Sequence, residues 1–538
     1  MPLDTLVIGR VATFAGEAGF GWVEAIGIKD GKVAFAGSAV DLETRADPHT
    51  QRFNLERDEI AIPGLTDAHL HLRDAAIEAR QVNLAGTASL DEGLALVAAA
   101  ASRLGPNEWL LGAGWDHGRW GRWPTADDLE GVVRGRPAAL RSIDHHAIWA
   151  SHSALRAASI DAALADPPGG IIRRSADGEP NGVLLENASE LVSRLVPEPS
   201  DDVVKQAIAE LAEELLRYGI VGIHDPGALR ADPTLQDLEL LGSLSDRGDL
   251  PLQVLAGIRA NGLPRARAEG LGSGTPIGRD PAGTIRLGWL KLFADGTLGS
   301  QTAALVAPRE DSADRGVMLM RQAELAELAF EAAAGGIATQ IHAIGDAAVG
   351  AALDALAPTT ARVSFMPRLE HVQLCLPEDR ARFGALGIGA SVQPVHLRED
   401  AATARRDWGS RAETSGYAWR SLLEAGAVLA FGTDAPIEPV DPWPGIALAV
   451  LRRDPSWGDD AEPFGPDEAL TLDQALRAAT VGPAQLARDP LGGRLIPGAP
   501  GDLIVLPAAP REPGERAAAF AAVRPRLVLV GGEALVEL

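Results

Sequence analysis

Eight short apolar runs, separated by amphipathic stretches that stop at glycine, constrain this chain more than any other feature. They are IAIPGLTDAHLH (60–71), IVGIHD (220–225), LQVLAGI (252–258), IRLGWLKLF (285–293), ATQIHAI (338–344), PRLEHVQL (367–374), IGASVQP (388–394) and AVLAFGTDAP (427–436). Intervening segments such as DDVVKQAIAELAEELLRYG and RQAELAELAFEAAAGG repeat their apolar residues at helical spacing. Strand and helix alternating eight times predict an α/β fold, specifically a (β/α)8 TIM-type barrel.

The remaining sequence surrounds that barrel. Residues 1–58 read as short strands, with Asp30-Gly31 as a hairpin turn, and residues 491–538 return to the same texture. The two ends are expected to form one small β-sandwich around a barrel spanning 59–490. About 150 residues separate the first two barrel strands, far more than a crossover helix needs, so 73–200 is expected to be an inserted subdomain. Four of the 11 tryptophans lie in that insert between Trp109 and Trp123. They suit a packed core as well as the wall of a pocket.

A formal charge of −25 repels nucleic acid and anionic membrane, which excludes both as partners. No basic leader precedes an apolar stretch, and no apolar run approaches a membrane span, so a soluble cytoplasmic protein acting on a small molecule is expected. The single cysteine, Cys375, rules out an intrachain disulfide and a Cys-rich metal site.

Chemistry-bearing residues gather at the ends of the apolar runs. His69 and His71 are two apart, which on a strand turns both imidazoles to one face. Alone, such a pair fits packing as well as metal ligation. His342, His371 and Asp434 also close apolar runs, and C-terminal strand ends are where barrel enzymes carry their catalytic groups. Five ligand-type side chains at equivalent positions point to a metal centre. Lys291, one of four lysines against 45 arginines, occupies the same position in its strand. An ammonium beside a cation in a low-dielectric interior must be deprotonated, modified, or paired with a carboxylate such as Asp295.

PGLTDAHLHL, KLFADGTLGSQTAAL, IHAIGDAAV, RLEHVQL, SVQP and FGTDAPIEPVDPWP occur in this order along nearly the whole chain. In this combination the sequence resembles the amidohydrolase superfamily, specifically its YtcJ-like branch. The resemblance implies two divalent ions, most simply zinc, with manganese, iron and cobalt as alternatives. By that pattern His69, His71 and Asp434 hold one ion and His342 and His371 the other. Lys291, carboxylated by carbon dioxide, bridges them as a carbamate.

Such a centre activates water as hydroxide and polarises a carbonyl, with Asp434 as ligand and general base. The expected reaction is hydrolysis of an amide-type C–N bond, for instance in an N-substituted formamide or an N-acylated small molecule. A cyclic-amide hydrolase or heterocycle deaminase of the same superfamily is the alternative, and a non-catalytic binding module a more distant one. The relatives also suggest a homodimer.

Weaker candidates are substrate-pocket residues: Trp115, Asp116 and His146 in the insert, and His224, Gln373 and His396 in the barrel. Trp115, Asp116 and His146 suit anchoring of the insert equally well, and His224 suits core packing. Asp346, after His342, is expected to orient that histidine or its loop. Gln301 stands where relatives often have arginine, which weakens the case for an acidic substrate.

Overall fold

The eight predicted runs all contribute strands to one parallel sheet. In chain order these are β1 (Leu65–Asp67), β2 (Ile220–Asp225), β3 (Gln253–Arg259), β4 (Ile285–Phe293), β5 (Ala338–Ala343), β6 (Arg368–His371), β7 (Gly389–Val392) and β8 (Leu429–Phe431). Each pairs with the next in sequence. In this computed structural model every residue is described except 1, 106–107, 144–146, 230–231, 233, 459, 508–520 and 538.

Most strand positions are buried, those of β2 and β5 without exception, as a parallel sheet covered on both faces requires. Helices Gln322–Ala334, Asp346–Leu356 and Pro377–Leu386 alternate with β4 to β7. The last of these ends at Gly387, whose φ of +67° is the left-handed stop. The ring is nearly closed by backbone bonds just past the outer strands. Ala68 N–H donates to Phe431 O at 2.8 Å, Asp434 N–H to His69 O at 2.7 Å, and His71 N–H to Ala435 O at 2.9 Å. Gly432 permits this approach, because a Cβ there would lie 2.5 Å from His69 N.

One boundary differs from expectation. The run 60–71 is two strands and a loop: Ile60–Pro63 pairs antiparallel with Leu503–Leu506, Gly64 intervenes, and only Leu65–Asp67 enters the barrel. His69 and His71 therefore lie beyond the strand, in the segment stitched to residues 431–435, and strand periodicity is not what aims them.

The terminal segments form one hydrogen-bonded sheet of eight strands. Its order runs Glu533–Glu537, Leu527–Val530, Leu503–Leu506, Ile60–Pro63, Thr5–Ala12, Trp22–Lys29, Lys32–Gly37, with Gln51–Asn54 also on Thr5–Ala12. Val7, Val11, Ile26, Val505 and Leu527 pack in its core. The Asp30-Gly31 hairpin forms as predicted, both residues having positive φ.

Ala76–Ile208 forms a second compact unit around a six-stranded sheet. Its core holds Trp115, Trp120 and Trp149. Among the described residues no helix is long and apolar enough to cross a membrane.

Candidate metal centre

The ends of β1, β4, β5, β6 and β8 bring the six predicted residues together. His69, His371 and Asp434 present ligand atoms all within 4.8 Å of one another. Lys291 Nζ lies 3.4 Å from His69 Nε2. The His71 ring centre is 5.4 Å from that of His69, and the His342 ring centre 4.5 Å from that of His371. All six are buried, none more than 8% exposed. His371 and Asp434 have φ of +72° and +64°, a conformation unusual for residues with a Cβ and one that concentrates at functional sites.

Each of three imidazoles has its Nδ1 committed away from the centre. His69 Nδ1 bonds Glu370 Oε2 at 2.6 Å, His71 Nδ1 the carbonyl of Gly227 at 2.7 Å, and His371 Nδ1 the side-chain oxygen of Gln393 at 2.7 Å. With Nδ1–H donating, each Nε2 carries the lone pair. The Nε2 atoms of His69 and His71 approach the same oxygen, Asp434 Oδ1, at 3.3 and 3.5 Å. Two lone pairs converging on a carboxylate oxygen repel unless a cation lies between them, so the donor set fits a divalent ion of the zinc type. His342 differs, its Nε2 facing Gly296 O at 3.1 Å, which leaves Nδ1 as its donor atom.

Electrostatics favour neutral rings at His342 and His371. Burial and the neighbouring Lys291 pull His342 down to about 3, and burial and His342 pull His371 well below the usual imidazole range. Burial lowers the Lys291 amine to about 8. For Asp434, burial acts upward but is outweighed by the neighbouring His69 and His71 rings and by the hydrogen bond from His396, which hold the carboxyl well below its ordinary value. Glu370 behaves alike: burial opposes ionisation, and Arg368, 2.7 Å away, and His69 overcome it.

Of the weaker candidates, His396 joins the centre: its Nε2 is 3.2 Å from Asp434 Oδ2 and its Nδ1 3.6 Å from Glu438 Oε1. Burial acts to lower its pKa, but the two carboxylates push it up to about 10, so it is an imidazolium. Gln373 is buried and donates to Asp400 Oδ2 at 3.0 Å, where Tyr417 also donates. His224 sits inside the barrel rather than at its mouth, accepting from Arg368 Nη1 at 2.9 Å and packed on Trp289.

In the second unit, Trp115 is a core residue donating to Leu140 O. Asp116 caps the short helix His117–Trp120. Both therefore anchor the unit's own fold, although Trp115 also borders a cavity there with His117, Trp123, Ile171 and Leu185. His146 lies outside the described residues.

Two sequence readings are sharpened. Asp346 accepts from Val306 N–H and so ties down the loop after β4, whereas Asp295, 3.7 Å from His342 Nε2, is the carboxylate beside that ligand. Asp295 accepts three backbone N–H groups, from Ile344, Gly345 and Ala304, and makes no ion pair with Lys291. Sequence reasoning missed Glu370, Arg368 and Gln393. The first two left a trace, since two charged residues in the buried run RLEH need a shared purpose.

The amidohydrolase family profile matches residues 57–536. The chain is 31% identical to Protein LONG AFTER FAR-RED 3 of Arabidopsis thaliana (93% of this chain, 87% of the relative). It is 29% identical to the putative amidohydrolase YtcJ of Bacillus subtilis (90% of each) and 27% identical to the N-substituted formamide deformylase of Arthrobacter pascens (90% of each). Among solved structures, an uncharacterized metal-dependent hydrolase from Pyrococcus furiosus superposes with a TM-score of 0.75 at 26% identity, covering 95% of this chain and 100% of that one. With a parallel barrel, a convergent set of imidazole and carboxylate side chains and these relatives, the chain belongs to the amidohydrolase family, in its YtcJ-like branch, among metal-dependent hydrolases.

Proposed function

We propose that the protein hydrolyses the C–N bond of an exocyclic amide, such as an N-substituted formamide or N-acylated small molecule, at a centre of two divalent ions, most simply zinc. His69, His71 and Asp434 would hold one ion and His342 and His371 the other, with Lys291 between them as a carbamate. The neutral amine is the form that adds to carbon dioxide, and the lowered Lys291 pKa raises its share near neutral pH. When bound, the ions supply acidified water and polarise the scissile carbonyl.

The protein's own part centres on Asp434. Its Oδ1 faces the His69 and His71 Nε2 atoms while Oδ2 rests against His396. From that position Asp434 takes the proton released as water adds to the carbonyl carbon, and returns it to the nitrogen as the C–N bond breaks. His396, charged and braced by Glu438, keeps the carboxylate ionised and fixes its rotamer. The convergence of two imidazole lone pairs on Asp434 Oδ1 is the observation that carries this reading.

Asp434→Asn tests it. Turnover is expected to fall by about 10²–10⁴-fold, the usual worth of a general base, while the histidines still retain metal. Near-wild-type turnover with metal bound would remove Asp434 from the role.

A further inference from the structure

We propose that Arg259 anchors an anionic group of the substrate, so that the preferred substrates are amides carrying a carboxylate near the scissile bond. This rests on the amide-hydrolase reading above and narrows it.

Arg259 is the last residue of β3, and its Cα partner across the sheet is Lys291. Laterally paired residues of neighbouring strands point to the same face, so the two side chains enter the barrel mouth together. The guanidinium carbon lies 4.5 Å from the ring centre of Phe293. Lys291 Nζ is 5.1 Å from that ring centre, and the His342 ring is 5.5 Å from it. Arg259 Nη1 donates to the carbonyls of Ala228 (3.0 Å) and Leu229 (3.4 Å), in the loop whose Gly227 carbonyl holds His71. The cation is thus fixed by the elements that fix the metal ligands.

It has no carboxylate partner among the described residues, and its Nε and Nη2 make no hydrogen bond there. Asp74, the acid that acts on it, is engaged by Leu229 N–H at 2.8 Å. Two other arginines are paired, the half-buried Arg73 with Asp237 at 3.2 Å and the buried Arg368 with Glu370 at 2.7 Å. A half-buried guanidinium clamped on one side by carbonyls and an aromatic face, with its Nε and Nη2 unbonded, is built for a planar oxyanion. The inference from Gln301 against an acidic substrate does not bear on this, because Gln301 is exposed and donates to Asp407 at 3.2 Å.

The test compares N-acetylglycine with its neutral counterpart N-acetylglycinamide on zinc-loaded protein. Wild type is expected to favour the carboxylate in kcat/KM by about tenfold or more, the usual worth of a charge-assisted bidentate pair. Arg259→Met, which keeps the packing on Phe293, should cut that ratio by about tenfold through KM rather than kcat, and Arg259→Lys should restore part of it. Calorimetric binding of N-acetylglycine to Asp434→Asn protein, with and without Arg259→Met, reads the anchor apart from turnover. Binding that depends on Arg259 without hydrolysis of either amide would retain the anchor and overturn the amide reading. Hydrolysis without preference for the carboxylate, or equal loss of both compounds in Arg259→Met, would overturn the anchor and retain the hydrolase.

Discussion

His371 shows how little of a candidate ligand's placement lies in its own identity. Its ring is aimed by Gln393, one strand away, and its backbone is held in the left-handed region. Gln393→Leu removes the acceptor of its Nδ1–H without stranding a charge. Zinc affinity, measured by competition with a chelator, is expected to drop by about 10–100-fold while the fold persists. Unchanged affinity would mean the ring needs no such brace. The clustering of the six candidate residues was legible in the sequence, because each follows an apolar run and precedes a loop. Their braces were not: Gln393, Glu370 and the Gly227 carbonyl become partners only through barrel register, and an amide or a backbone carbonyl carries no mark in the sequence. Arg259 escaped for the same reason, since its meaning lies in pairing laterally with Lys291.

At the scale of elements, hydrophobic periodicity located every barrel strand but misjudged where the first begins. Apolar character runs unbroken through Gly64, while the hydrogen bonds change partners there, from Leu503–Leu506 on one side to β2 on the other. Close approach explains both glycines at this seam: a Cβ at Gly64 would lie 2.5 Å from a methyl of Val221, and one at Gly432 would strike the His69 backbone. Gly432→Ala should therefore open the contact between the first and last strands. A loss of metal affinity together with about 1–3 kcal/mol of stability in urea titration is expected, the cost of overpacking a filled site. Wild-type values for both would show that the seam gives way freely.

Over the whole molecule, the terminal sheet joins sequence ends that composition alone could only suggest belong together. Arg526 donates through Nε and Nη2 to the two oxygens of Glu59, the second at 3.0 Å, locking Leu527–Val530 to the start of Ile60–Pro63. That bond holds the Glu59 carboxyl below its ordinary 4.5 despite its burial. A depressed acid stabilises the fold above its unfolded pKa, and the contribution disappears as pH falls through the folded value. Glu59→Gln should cost about 1–2 kcal/mol at pH 7, with the difference from wild type shrinking steadily below pH 4.5. A constant difference across that range would assign the effect to packing. The inserted unit was legible as an interruption of the barrel, from its length; its six-stranded sheet was not, because its strands are short and its aromatic residues suited core and pocket alike.

The most direct measurement of the central claim is amide hydrolysis as a function of metal content. Protein stripped by a chelator and assayed against N-substituted formamides, N-acyl compounds and cyclic amides should be inactive. Activity should return in proportion to added divalent metal and saturate near two ions per chain. Turnover that persists in metal-free protein, or fully reloaded protein inert across the whole panel, would contradict the account.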